Sequence, residues 1–476
     1  MSIFEAKENS SISKNIGFAF LAQGVGFASS LLIALILPRF LGLEDYAFWQ
    51  MFLLYSSYSG LALLGVNDGI YLRLGGKEYS TLDYRSLKTQ LIIAYIFQLF
   101  IASIFCAFVA GGQFSDHYKT VLIMVAASGL IANLMSCLRY IFLSSNLTQI
   151  ASMAEFFSKS FFLLSSLAAL LFGFVDYRKY VLLYILSQLV ALVYLMICAK
   201  KIISASCINL SDAIRLLASD SVVGLKIMIS YYADILIMGF TRMATEWKFG
   251  LLVFGKLSFA FTITNFVLSF VAQIAMVFFP VLKRLKFESR ALSYAQLRSI
   301  LHLVLPLAYL AYIPLAIVLR IWVPEYSDSI VYLSFLMPLC VCSCKSNLLF
   351  NTFYKIERME GHLCFINFVT MLLNALFAGL SIGVFNSVEL AAFGVSLTVL
   401  IRDGIFEKTL SVKYGISFAR PFVLEVVAAL SFVFSFWALG VSGLLLVLLI
   451  LAGYYLCSKP DFAAMRNSRD LFRKGA

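Results

Sequence analysis

Read for hydropathy, the chain alternates roughly fourteen apolar stretches of about 18–25 residues with short polar gaps; a bilayer core of ~30 Å is crossed by ~20 helical residues. The stretches begin at about residues 15, 46, 90, 121, 149, 179, 221, 249, 299, 328, 362, 388, 421 and 441, and each predicts a membrane helix. The first run, Asn15–Leu37, is too long for a secretory h-region and is followed by no small-residue cleavage pattern, so it is expected to be a retained helix. The expected fold class is an all-α polytopic membrane protein of about 14 transmembrane helices.

Composition narrows this further. Of the 476 residues, 62% are hydrophobic and only 13% are charged, which leaves no segment for a sizeable soluble domain. The net charge of +12 does not point to nucleic acid, because the basic residues sit in the short gaps between spans. With the N-terminus inside, about 25 Lys and Arg fall on the cytoplasmic side and about 7 outside. The seven are Arg39, Lys119, Arg178, Lys179, Arg242, Lys248 and Arg320. The expectation is a multi-pass protein of a bacterial inner membrane with both termini cytoplasmic. The longer cytoplasmic gaps near 67–89, 200–220 and 282–298 are expected to form amphipathic interfacial helices. Cys340, Cys342 and Cys344 alternate on one predicted helix with no His nearby in the sequence; small packing residues are the better reading, and neither a metal, a cofactor nor a disulfide framework is expected.

The basic gap at 200–220 separates six spans from the next six, and the turn after the first span of each half is similar. Leu43-Glu44-Asp45-Tyr46-Ala47-Phe48 matches Ala244-Thr245-Glu246-Trp247-Lys248-Phe249-Gly250 in its acidic, aromatic character. Further local patterns are Asn15-Ile16, Leu37-Pro38-Arg39-Phe40-Leu41-Gly42, and Val66-Asn67-Asp68-Gly69-Ile70 through Arg73-Leu74. Others are Phe278-Phe279-Pro280-Val281-Leu282-Lys283-Arg284-Leu285 and Trp322-Val323-Pro324-Glu325-Tyr326. In these patterns and in its span layout the chain resembles the polysaccharide-transporter branch of the multidrug/oligosaccharidyl-lipid/polysaccharide exporter superfamily, in particular the O-antigen and lipid-linked oligosaccharide flippases. Thr241-Arg242-Met243 is a loose match to the acidic-Arg turn that this family usually shows after its seventh span.

The resemblance implies two six-helix bundles around a central cavity plus two extra helices. The expected domains are residues 1–200 for the N-terminal bundle, 201–220 for an amphipathic linker and 221–410 for the C-terminal bundle. Residues 421–457 would hold the additional helices and 458–476 a basic tail. It also implies a transporter rather than an enzyme, moving an undecaprenyl-diphosphate-linked oligosaccharide from the cytoplasmic to the periplasmic leaflet by alternating access. Partners would be that lipid-linked sugar, the bilayer, a coupling proton or sodium ion, and polysaccharide polymerase machinery.

Charges inside the spans are the candidate chemistry, because a charge at a helix centre costs ~2.5–3.5 kcal/mol on insertion scales. A diphosphate needs cationic partners to cross the same barrier. The expected substrate-binding residues are Arg39, Lys226, Arg242 and Lys256, with Arg139 and Lys159 behind them. Asp234, Asp68 and Glu155 are the expected ion-coupling residues. Glu155 and Lys159 are one turn apart with the acid first, an arrangement that also suits a self-neutralising pair; Asp234 equally suits a salt bridge to another helix. Lys345, Arg402 and Asp403 are further charges in or near the membrane. A drug antiporter of the same superfamily and a membrane glycan polymerase or ligase are the rival readings. The short external gaps argue against the latter.

Overall fold

The computed structural model describes residues 24–283 and 287–458. Asn15-Ile16, Arg284-Leu285 and residues 459–476 of the basic tail lie outside the described residues. Within the described residues, every apolar stretch predicted from hydropathy falls on a helix or a run of helices, and no strand occurs; residues 15–23 of the first stretch lie outside the described residues. In chain order they begin α1 (Gly24–Phe40), α2 (Leu43–Ser56), α3 (Val66–Leu74), α4 (Tyr84–Gly111), α5 (Asp116–Ser144) and α6 (Thr148–Leu171). Next are α7 (Tyr177–Cys198), α8 (Leu210–Phe249), α9 (Leu251–Lys283), α10 (Phe287–Val304), α11 (Ala308–Trp322) and α12 (Ser327–Lys345). The chain ends with α13 (Asn351–Ile356), α14 (Glu360–Gly383), α15 (Val388–Tyr414), α16 (Ala419–Leu439) and α17 (Gly443–Cys457). Among the described residues, ten helical segments are long and apolar enough to cross a membrane, and α1 and α17 are shorter apolar helices. The protein is a multi-pass membrane protein.

Helix α4 shows why. Its exposed row is Ile92, Ile96, Phe100, Ile104 and Phe108, spaced four apart, whereas Gln90 and Gln98 are buried. Residues four apart share a helix face, so the apolar face points out and the amides point in. That is the reverse of a water-soluble helix and is what a lipid environment requires. The helices start a few residues before their apolar stretches because polar caps begin them. Asp83, Ser115 and Asp176 accept hydrogen bonds from first-turn N–H groups of α4, α5 and α7.

Two features differ from the hydropathy reading. The second span is not one helix. It runs through α2, a 3₁₀ turn at Ser59–Leu63 and α3, with Leu64 and Gly65 both in the left-handed region. The residues expected to form a separate linker are divided: Lys200–Ile203 is a single turn, and from Leu210 onward the chain is already in α8. At 40 residues α8 is about 60 Å long, twice the bilayer core, so its polar first turns extend the seventh span. In span nine Pro306 lies in a 3₁₀ turn at Leu305–Leu307, and Pro314 lies inside α11.

The chain forms two compact units, up to Tyr232 and from Ala233 onward. In the first, Val66, Ile70, Leu138, Phe142, Leu192 and Leu195 belong to a core joining α3, α5 and α7. Trp49 stacks on Phe162 at 5.8 Å beside Tyr184. In the second, Tyr294, Phe350, Phe353, Tyr354, Phe406 and Leu410 form the core of α10, α13 and α15.

Within the first unit α3 touches the start of α8 backbone to backbone. Gly65 and Gly69 of α3 meet Gly224 and Asp220 of α8 so closely that a Cβ on Gly224 would collide with the Gly65 carbonyl and the Gly69 nitrogen. Arg73 seals the crossing, donating from Nε and Nη2 to Asp220 at 2.8 Å each and from Nη2 to Gln90 at 2.9 Å. Gly224→Val is expected to force α8 off α3 and to destabilise the protein by several times the ~1 kcal/mol of an ordinary point change. The check is its thermal melting in detergent against wild type; an unchanged melt would mean that α8 can separate from α3 without cost.

Candidate functional site

The break in the second span opens the first unit. Non-helical backbone at membrane depth is tolerated where it is buried in protein or lines a water-filled cavity, and discontinuous helices are typical of transporter binding sites. Here the break lines a cavity of about 640 Å³ with Ser56, Ser57, Ser59 and Gly60, followed by Asn67 and Asp68 from the start of α3. Helix α5 adds Ser128, Asn133, Ser136, Arg139 and Tyr140; α7 adds Gln188, and α8 adds Tyr231 and Tyr232. Ser128 donates to Gln188 at 2.9 Å, and the Asn133 amide donates to the Ser59 carbonyl at 3.0 Å. These bonds fix the polar wall. Ser56 Oγ and Arg139 Nε are buried without a hydrogen-bond partner among the described residues.

A second compartment of about 310 Å³ shares Met135, Arg139, Tyr184 and Gln188 with the first. Glu155, Ser158 and Lys159 of α6 line it, with Gly26, Ser29 and Ser30 of α1. The internal pair read from the sequence is formed, with Lys159 Nζ 2.6 Å from Glu155. Arg139 also reaches the same carboxylate at 3.8 Å. One acid therefore faces two cations, and about a third of each side chain is exposed. Gly26 packs against this lysine: a Cβ there would lie 2.8 Å from Lys159 Nζ, so the end of the side chain would have to shift. Asp68 has no ion-pair partner among the described residues.

The remaining candidates lie elsewhere. Arg39 is exposed at the end of α1 and Lys226 is exposed on α8; neither lines these compartments. In the second unit, Lys256 on α9 pairs at 2.5 Å with Asp328, a residue at the start of α12 that no local sequence window connects to it. Arg242 donates to Ser258 at 3.0 Å and sits over the Phe254 ring. Asp234 pairs with Arg402 at 2.8 Å, the interhelical salt bridge that was the alternative to an ion-coupling role.

The second unit also holds a buried ion network that sequence reasoning met only at Lys345. Arg298 Nε donates to Glu407 at 2.5 Å, and Lys345 bridges Glu407 and Glu425 at 2.6 Å each. His302 contacts Glu425 at 3.0 Å and Tyr454 of α17 at 2.8 Å. Beside it Ser346 donates to Asp403 at 2.6 Å. Part of the signal is present in the sequence: Glu425 interrupts an apolar run as Lys345 does, whereas Glu407 stands beside Lys408 among other charges. Their pairing across 62 and 80 positions was not readable. The cysteines Cys340, Cys342 and Cys344 are free and buried on α12, and no group of His, Cys, Asp or Glu among the described residues is placed to hold a metal ion.

The sequence matches no family model, and no curated protein matches it. Solved structures do match. A structure described as the lipid II flippase MurJ in an inward closed conformation is similar over 96% of this chain and 99% of its own, with 13% identity and a TM-score of 0.56. An outward-facing multidrug resistance MATE family transporter of the MOP superfamily is similar over 84% of this chain and 95% of its own, with 13% identity and a TM-score of 0.54. A MATE protein in complex with MaL6 is similar over 84% of this chain and 96% of its own, at 12% identity and a TM-score of 0.51. At these identities the likeness is one of fold: the chain is built on the fold shared by MATE transporters and the MurJ flippase.

Proposed function

We propose that the protein is a flippase that carries an undecaprenyl-diphosphate-linked oligosaccharide, such as an O-antigen repeat unit for lipopolysaccharide, from the cytoplasmic to the periplasmic leaflet by ion-coupled alternating access. The observation that carries this reading is the pair of joined compartments, one lined by hydroxyls, amides and tyrosines, the other holding two cations against one carboxylate. A polyhydroxylated headgroup needs many hydrogen-bonding partners, and its diphosphate needs cations with geometry like that of a guanidinium fork. Arg139 and Lys159, which both line the smaller compartment, supply that charge. The solved MurJ structure, named as a lipid II flippase, supports the reading at the level of fold. The rival drug-antiporter reading draws on Asp68 and Glu155, carboxylates that would suit a cation.

Proteoliposomes separate the two. The full chain is expected to externalise a labelled polyprenyl-diphosphate oligosaccharide in a manner driven by an imposed proton or sodium gradient, and not to accumulate a lipophilic cationic dye. Dye exchange without sugar-lipid movement would replace this proposal with the antiporter reading.

A further inference from the structure

The larger compartment is not uniformly charged, and among the described residues the charge on its wall that has no ion-pair partner is an acid. Arg139, at its junction with the smaller compartment, is engaged by Glu155. Asp68 stands among Asn67, Asn133, Tyr140, Gln188 and Tyr231 with no cation within ion-pairing distance among the described residues. Its place is set by α3, which the Gly65, Gly69 and Gly224 contact and the Arg73–Asp220 pair hold against α8, so the carboxylate belongs to a rigid part of the wall.

The wall chemistry divides the work. Amides and hydroxyls match the donors and acceptors of sugar hydroxyls, and tyrosines present a flat apolar face with a polar tip. The Tyr140 ring also lies 5.9 Å below the Arg139 guanidinium, which places an aromatic face where the two compartments meet. A saccharide seated here brings its substituents near Asp68. A carboxylated sugar then places like charges together in a partly dehydrated site, where their repulsion exceeds that in water. A neutral or amino sugar meets no such penalty.

We infer that the larger compartment is a saccharide subsite and that Asp68 makes it selective against sugars bearing a carboxylate. This rests on the flippase reading above and goes beyond it by assigning the sugar class and the residue that selects it.

The test uses the full chain in proteoliposomes with two polyprenyl-diphosphate oligosaccharides of equal length, one of N-acetylated neutral hexoses and one in which a hexose is replaced by its uronic acid. Wild type is expected to favour the neutral compound by about tenfold, equivalent to about 1.4 kcal/mol. Asp68→Asn is expected to bring that ratio most of the way to one, and Asp68→Glu to keep it. Asn67→Asp, which adds a carboxylate to the same wall, is expected to widen it and reports independently of how well Asp68→Asn folds. A wild-type ratio near one, or a ratio that none of these variants moves, overturns the subsite while leaving the flippase reading intact. Movement of neither compound by wild type overturns the flippase reading and the inference with it.

Discussion

Replacing Glu407 by Ala is expected to be the most destabilising single change in the second unit. Glu407 is fully buried and is the shared acceptor of Arg298 and Lys345, whose side chains are only 6% and 4% exposed. Removing one member of a buried ionic group leaves its partners charged and desolvated, at a cost of ~3–5 kcal/mol. Arg298 keeps a hydrogen bond to the Ser417 carbonyl, and Lys345 keeps Glu425, but the group then carries two cations against one acid. The contrast is Lys256→Met. Its partner Asp328 is 61% exposed, so the loss should stay within the ~0–1 kcal/mol of a surface pair. Thermal unfolding in detergent of both variants against wild type checks the ranking. Equal melting temperatures for Glu407→Ala and Lys256→Met would show that the network is solvated and not buried.

The largest functional effect is expected from the double substitution Arg139→Gln with Lys159→Gln. A charge pair at 4 Å is worth ~4 kcal/mol at an effective dielectric of 20, against ~1 kcal/mol in water. Losing the two cations that face the smaller compartment should therefore slow externalisation of a polyprenyl-diphosphate oligosaccharide by about a hundredfold or more. Stability should change little, because both side chains are about a third exposed and the pair they form with Glu155 is partly screened. Glu155→Gln works in the opposite direction. It frees both cations from their shared acid and is expected to raise the affinity for the sugar lipid. Transport at the wild-type rate by the double variant, in protein shown to be folded by its melting curve, would remove this pair from the substrate path.

These two residues illustrate what could and could not be read in advance. Glu155 and Lys159 were paired correctly from their spacing, since neighbours four apart on a helix must meet. That Arg139 joins them was not readable, because α5 and α6 place it there through packing. The same limit applied to Lys256. No acid lies within a turn of it in the sequence, and its partner is supplied by the start of another helix. Arg39 and Lys226 are expected at the cavity because the family resemblance assigns spans one and seven to its wall; which side of a helix a residue occupies is set by packing, and both are exposed. Asp68 was legible as a charge at the end of the second span; the break that turns this region into a cavity wall was not, since Leu64 adopts the left-handed region against its own preference.

The amino-acid sequence by itself determined that this is a helical membrane protein and where its spans lie. Both follow from local composition, because the cost of placing each residue in hydrocarbon adds along a stretch of ~20 residues and needs no partner from elsewhere in the chain. Only the tertiary structure decided which charges are neutralised and which remain available. Arg298 with Glu407, Lys345 with Glu425 and Arg402 with Asp234 are joined over 80 to 168 positions. The strength of each pair depends on the dielectric and geometry that packing creates around it. Asp68, which has no ion-pair partner among the described residues, and Arg139 beside Lys159 are the groups proposed to meet substrate.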